Sequence, residues 1–158
     1  MERRMTESTS GSAGTTHVLA TDLDGTLIPL AGRDENRADL QLLGEQLKKH
    51  DVTLIDITGR HRAYAEDAIA EHDLPTPDWL ICDVGTSIYH RDGDGGFQLD
   101  GDYQDHQDRI ITPLPIPRLR DQLASINGLR LQEDEKQGQF KLSYYAAANQ
   151  LDILVTQV

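Results

Sequence analysis

The spacing of apolar side chains changes several times along the chain, and each change marks an element. His17-Val18-Leu19-Ala20-Thr21 is a short apolar run and predicts a first strand. Residues 36–50 place Leu40, Leu43 and Leu47 at helical spacing, with Asp34 or Asn36 as the candidate cap. Val52–Ile57 predicts a second strand, which ends at Thr58-Gly59-Arg60. Ala63, Ala65, Ala68, Ile69 and Ala70 favour a helix that stops near Pro75, because proline cannot continue it. Trp79–Cys82 predicts a third strand. Ser87–His90 and Phe97–Leu99 flank the glycine-rich stretch Arg91–Gly96 and predict a hairpin. Strands alternating with helices imply an α/β fold with a parallel sheet.

The pattern shifts after residue 100. Residues 100–108 are acidic and polar, and Pro113, Pro115 and Pro117 stiffen the next stretch of chain. This predicts a connection over 101–116 between two units, 17–100 and 117–158. In the second unit, Pro117 suits the first turn of a helix running to about Ile126 and ended by Asn127-Gly128. Leu129–Gln132 and Phe140–Tyr145 predict two strands around a polar turn, with a helix beginning near Ala147. Residues 1–16 are rich in Ser, Thr and Gly and predict a disordered tail. Arg3-Arg4 has no apolar segment behind it, so an export signal is not expected.

Charge and cysteine content narrow the setting. A net charge of −12 argues against nucleic acid or an anionic membrane as partner. It leaves phosphorylated substrates open, because local cations and a metal override the global field. The single cysteine, Cys82, precludes an internal disulfide and points to a reducing, cytoplasmic setting. It lies in an apolar run and is expected as an inert core thiol, with Trp79 as core beside it.

Two strand ends carry the chemistry. Asp22 and Asp24 lie two residues apart, so strand alternation gives them a common side if the chain turns at Gly25. Ligands of open α/β sheets bind outside the carboxyl ends of the strands, where Asp22 stands. Two close carboxylates repel, and a divalent cation relieves the repulsion. Asp22 can attack phosphorus while Asp24 protonates the leaving oxygen. Thr58-Gly59-Arg60 offers a hydroxyl, a backbone amide and a cation, which suit a phosphate. A helix cap at Asp22/Asp24, a plain turn at Thr58–Arg60 and a surface ion pair at Arg60 are the bland readings. Asp92-Gly93-Asp94-Gly95-Gly96 resembles a calcium loop and is read as a hairpin turn. Asp100–Asp108 with His106 is read as a solvated linker rather than a metal cluster.

Asp22-Leu23-Asp24-Gly25-Thr26 followed by Thr58-Gly59-Arg60 resembles the first two motifs of the haloacid-dehalogenase-like phosphatases. Pro77-Asp78-Trp79 through Val84-Gly85 to Ile88-Tyr89-His90 narrows the resemblance to the sucrose-phosphate phosphatase group, as does Phe140-Lys141-Leu142-Ser143-Tyr144-Tyr145. The resemblance implies a Rossmann-like parallel-sheet core, present in part, and the start of a small α/β cap. It implies Asp22 as nucleophile, Asp24 as general acid/base, and magnesium on the Asp22 carboxylate and the Asp24 backbone carbonyl. Thr58, Gly59 and Arg60 would bind the phosphoryl group, and Lys141 and Ser143 would lie in the specificity element. The implied reaction is magnesium-dependent hydrolysis of a sugar phosphate, with sucrose 6-phosphate first among the substrates.

Departures from that pattern matter. His61 and Ser87 stand where the group usually has a small hydroxyl residue and a glutamate. The family's phosphate-neutralising lysine and its later Gly-Asp-x-x-Asn-Asp motif have no counterpart here, so the chain is expected to be an N-terminal part of a longer phosphatase, weakly active or inactive alone. Two alternatives stay open: a phosphatase for mannosyl- or glucosyl-linked phosphates, or a non-catalytic sugar-phosphate-binding module associated with a glycosyltransferase.

Overall fold

The computed structural model describes residues 16–29 and 37–156. The candidate caps Asp34 and Asn36, and all but the last residue of the expected tail 1–16, lie outside the described residues. Strands β1 (His17–Asp22), β2 (Val52–Ile57), β3 (Trp79–Cys82), β4 (Ser87–Arg91) and β5 (Phe97–Leu99) form one five-stranded sheet in that order. β1, β2 and β3 are mutually parallel, linked by helices α1 (Arg37–Lys49) and α2 (Arg62–Glu71). β4 and β5 add antiparallel neighbours as the expected hairpin. Asp92 closes its turn by accepting from the backbone amides of Asp94 and Gly96, which spends that carboxylate on the turn itself.

Strand alternation decides which side chains the helices cover. Leu54, Asp56 and Thr58 of the β2 segment are buried, as are Leu80 and Cys82 of β3. Leu80 and Cys82 pack with Leu40 of α1 and with Ala65, Ala68 and Ile69 of α2 in the core. The small residues of α2 let it lie close to the sheet. The opposite face leaves Val18 54% and Ile57 41% exposed. Trp79, expected in the core, is 36% exposed on that face and sits beside the ring of its cross-strand partner His90. Alternation outweighs its apolarity: Leu80, the next residue, takes the buried side.

The segment 101–116 is helical for most of its length. It contains α3 (Gly101–Ile111), which has no buried residue. The helix shows no apolar stripe, so its signal is local: the Asp100 carboxylate accepts from the Tyr103 amide at 2.8 Å and caps the first turn. Replacing Asp100 by Ala is expected to cost about 1 kcal/mol, read as a lower urea midpoint at unchanged slope. α4 (Ile116–Leu123) starts with Pro117 in its first turn, as expected, and ends before Ile126. β6 (Leu129–Leu131) and β7 (Tyr144–Ala146) pair antiparallel as a separate two-stranded sheet, followed by α5 (Leu151–Val155). β7 is shorter than the strand expected over Phe140–Tyr145. Ser143 O still accepts from the Gln132 amide at 2.9 Å, but Ser143 N donates to the Gln137 side chain at 2.8 Å, so a side chain rather than a strand partner takes that amide. Among the described residues, no helix is long and apolar enough to cross a membrane.

Candidate active site

Three strand ends meet here. At the end of β1 the alternation Asp-Leu-Asp buries Leu23 completely and leaves Asp22 and Asp24 exposed. The chain then turns at Gly25, whose φ of 82° is left-handed and suits glycine. Ile28 N donates to Leu23 O at 2.7 Å and Gly25 N to Ile28 O at 2.9 Å, which closes the turn and fixes Asp24 at its start.

β2 runs beside β1, with Ile57 rather than Thr58 across from Asp22. Thr58 follows one position later and is 2% exposed; its hydroxyl accepts from the Arg60 amide at 3.1 Å. Gly59 is exposed at the turn. Arg60 reaches back to β1, its Nε and Nη2 donating to the two Asp24 carboxylate oxygens at 2.9 and 2.6 Å. This fork holds the Asp24 carboxyl below its ordinary range and raises the Arg60 guanidinium. The bland reading of Arg60 as an ion pair is therefore real, but the pair lies inside the candidate site.

The turn after β3 is laced to the turn after β2. Asp83 N donates to Arg60 O and Val84 N to Thr58 O. Asp83 and Val84 both adopt left-handed backbone, with φ of 53° and 60°. Non-glycine residues rarely do so, and such strain persists only where the surroundings enforce it. Cys82, just before them, is fully buried, and burial pushes its thiol up to about 12, so it stays protonated and inert.

The segment around Lys141 reaches this cluster. Lys141 is not on a regular strand: it forms an isolated bridge with Gly138. Its ammonium donates to Gly59 O at 3.0 Å and to the Asp83 carboxylate at 3.3 Å. Asp24, Gly59, Arg60, His61, Lys141 and Ser143 all line one cleft of about 560 Å³. The lining does not include Asp22 or Thr58. Reading the sequence missed Asp83, although it ends an apolar strand just as Asp22 does. Gln132 and Lys136 of the cleft wall were also missed; the one ends an expected strand and the other sits in a polar turn, with no distinguishing signal.

A family model for sucrose-6F-phosphate phosphohydrolase matches residues 15–158. The chain belongs to this family. A haloacid-dehalogenase-like hydrolase of Nitrosococcus oceani is 38% identical over 136 residues, covering 82% of this chain and 34% of that protein. The sucrose-phosphatase of Synechocystis, solved with sucrose and phosphate, superposes with a TM-score of 0.70 at 24% identity, over 90% of this chain and 55% of its own. A haloacid dehalogenase-like protein of Bacillus subtilis gives 0.61 at 17% identity, over 89% of this chain and 53% of its own. The fold is thus the Rossmann-like α/β fold of the haloacid-dehalogenase-like proteins. This chain spans about a third of the Nitrosococcus relative and about half of each solved structure. A glucosylglycerol-phosphate synthase of Pseudomonas anguilliseptica is 38% identical over 76 residues, covering 48% of this chain and 9% of that protein.

Magnesium is the metal this family implies. Among the described residues, no three His, Cys, Asp or Glu side chains converge as a metal cluster. The exposed Asp22 carboxylate and the Asp24 backbone carbonyl at one strand end still fit it, because magnesium keeps several waters and takes one or two carboxylates plus substrate phosphate.

Proposed function

We propose that the intact protein is a magnesium-dependent sugar-phosphate phosphatase that works through an aspartyl-phosphate. What supports this most is one juxtaposition: the Asp22-Leu23-Asp24 strand end is tied by Arg60 to a cleft lined by Lys141, in a chain whose residues 15–158 match a sucrose-phosphate phosphohydrolase family. Sucrose 6-phosphate is the substrate this reading favours. The unit 17–100 serves as core and 117–158 as the sugar-facing cap. A reducing cytoplasm suits the single buried cysteine.

In this reading a carboxylate oxygen of Asp22 attacks phosphorus and the bond to the sugar oxygen breaks. Asp24 gives that oxygen its proton. Asp24 then takes a proton from water, which attacks the aspartyl-phosphate at phosphorus, releasing phosphate and restoring Asp22. The Asp22 carboxylate and Asp24 carbonyl would hold magnesium, which neutralises phosphate charge when bound. Gly59 offers its backbone amide, and Thr58 supports the turn through its bond with the Arg60 amide. A guanidinium carries five N–H donors, and three bonds from Arg60 are accounted for by Asp24 and Tyr64 O. The others can take phosphate oxygens. While Arg60 grips Asp24 it opposes proton donation, and a phosphate that draws the guanidinium away relieves that depression.

Lys141 and Ser143 face the sugar from the cap. The partial likeness to a glucosylglycerol-phosphate synthase favours a second reading, a glucosyl-linked phosphate as ligand and a glycosyltransferase as partner. A panel of sucrose 6-phosphate, glucosyl- and mannosyl-linked phosphates, with magnesium and with chelator, separates the two. The main reading predicts phosphate release that is fastest on sucrose 6-phosphate and lost with chelator. Faster release from glucosyl-linked phosphates would favour the second reading's substrate; tight binding without release would favour a non-catalytic module.

A further inference from the structure

Among the described residues, Asp83 is the carboxylate that fastens the two units to each other beside the cleft. It is 2% exposed, at the end of β3. One oxygen faces His61 Nδ1 at 3.2 Å, at the start of α2. The other accepts from Lys141 at 3.3 Å, a residue 58 positions later in the chain. A Cβ added at Gly138 would stand 3.7 Å from the Asp83 carboxyl carbon and 3.3 Å from Lys141 Cβ, so the 138–141 bridge lies directly on the carboxylate. The Asp83 hydrogen bond to Arg60 O, the Thr86 hydroxyl bond to Asp83 O and the left-handed backbone hold it in this position.

We infer that Asp83 is a positioning residue, which fixes the Lys141 ammonium and the neighbouring 138–143 segment against the Gly59–His61 turn so that Lys141 presents a set donor to a sugar-phosphate ligand in the cleft. An ammonium has three donors, and Gly59 O and Asp83 take two of them; the third is left for the ligand. Asp83 acts through Lys141 and does not itself line that cleft. Burial restricts the pair to one geometry: the Lys141 side chain is 13% exposed and that of Asp83 3%. Without the carboxylate, only one carbonyl anchors a flexible four-carbon stem. His61, on the other oxygen, keeps the carboxylate from swinging with the lysine.

The kinetic part of this inference rests on the proposed function; the positional part does not. Two readouts therefore accompany Asp83→Ala and the isosteric Asp83→Asn in the intact protein. The first is amine labelling of Lys141, followed by mass spectrometry under native conditions. Wild type is expected to label slowly, Asp83→Ala at least about tenfold faster, and Asp83→Asn in between, because its amide oxygen still accepts one bond. The second is steady-state kinetics on sucrose 6-phosphate, where KM is expected to rise about tenfold while kcat falls less. If Asp83→Ala does not fold, Asp83→Asn alone decides by the same labelling comparison. Unchanged Lys141 labelling in a folded variant overturns the inference. Faster labelling with equal loss in kcat and no change in KM overturns the ligand-presenting role. Absence of turnover in wild type counts against the proposed function, and the labelling result still stands or falls on its own.

Discussion

Asp22→Asn in the intact protein is expected to lower magnesium-supported phosphate release by about 10⁴-fold or more, the scale of losing a nucleophile. The side chains are nearly isosteric and Asp22 is exposed at the end of β1, so the substitution asks little of the fold. What is lost is the anionic oxygen that attacks phosphorus. Asp24→Asn is expected to cost less, about 10²–10⁴-fold, because proton transfer assists the bond change without forming the covalent intermediate. It also removes one oxygen from the Arg60 fork, so KM shifts together with kcat. Phosphate release and circular dichroism, measured on both variants, check this. Turnover by Asp22→Asn within a few-fold of wild type would take Asp22 out of the nucleophile role.

A second large effect concerns stability. Asp56 on β2 is fully buried, and neither carboxylate oxygen has a hydrogen-bond partner among the described residues. Burial pushes its carboxyl from 3.8 up to about 7. The native state therefore holds the proton more tightly than the unfolded chain, and stability falls as pH rises from about 4 through about 7, then levels off. A shift of this size corresponds to about 4 kcal/mol at most. Asp56→Asn cannot ionise, so its stability relative to wild type is expected to rise across that window by about 2–4 kcal/mol. Any constant cost of burying an unpartnered amide drops out of the comparison between pH values. Urea unfolding of both proteins at pH 4 and pH 8 measures the change. A stability difference that stays the same at both pH values would show that Asp56 does not titrate on folding.

The parallel part of the sheet was legible because its signals are local and repeat. Apolar runs at Val52–Ile57 and Trp79–Cys82, each followed by a turn, become β2 and β3 with the expected limits. Asp22 and Asp24 were legible for the same reason: alternation about the buried Leu23 requires both carboxylates to point away from the core. α3 was not, since its stability comes from the Asp100 cap and from the Tyr103 hydroxyl donating to Gly85 O at 2.7 Å, with no buried stripe to betray it. Trp79 misled because size and apolarity suggest burial, while strand parity gave the covered side to Leu80. Lys141 was singled out, but on a strand; its backbone pairs with Gly138 in an isolated bridge instead. Asp83 was invisible as a site residue because its meaning depends on His61 and Lys141, which only the folded chain brings to it.

Whether the phosphoryl group passes through Asp22 is decided by one acid-quench experiment. The intact protein is mixed with magnesium and sucrose 6-phosphate, quenched within a turnover, digested and examined by peptide mass spectrometry. The expected product is a peptide carrying one added phosphoryl group, mapped to Asp22 and absent in Asp22→Asn. Steady phosphate release with Asp22 never labelled, or with the label on another residue, would rule out an Asp22 phosphoryl intermediate.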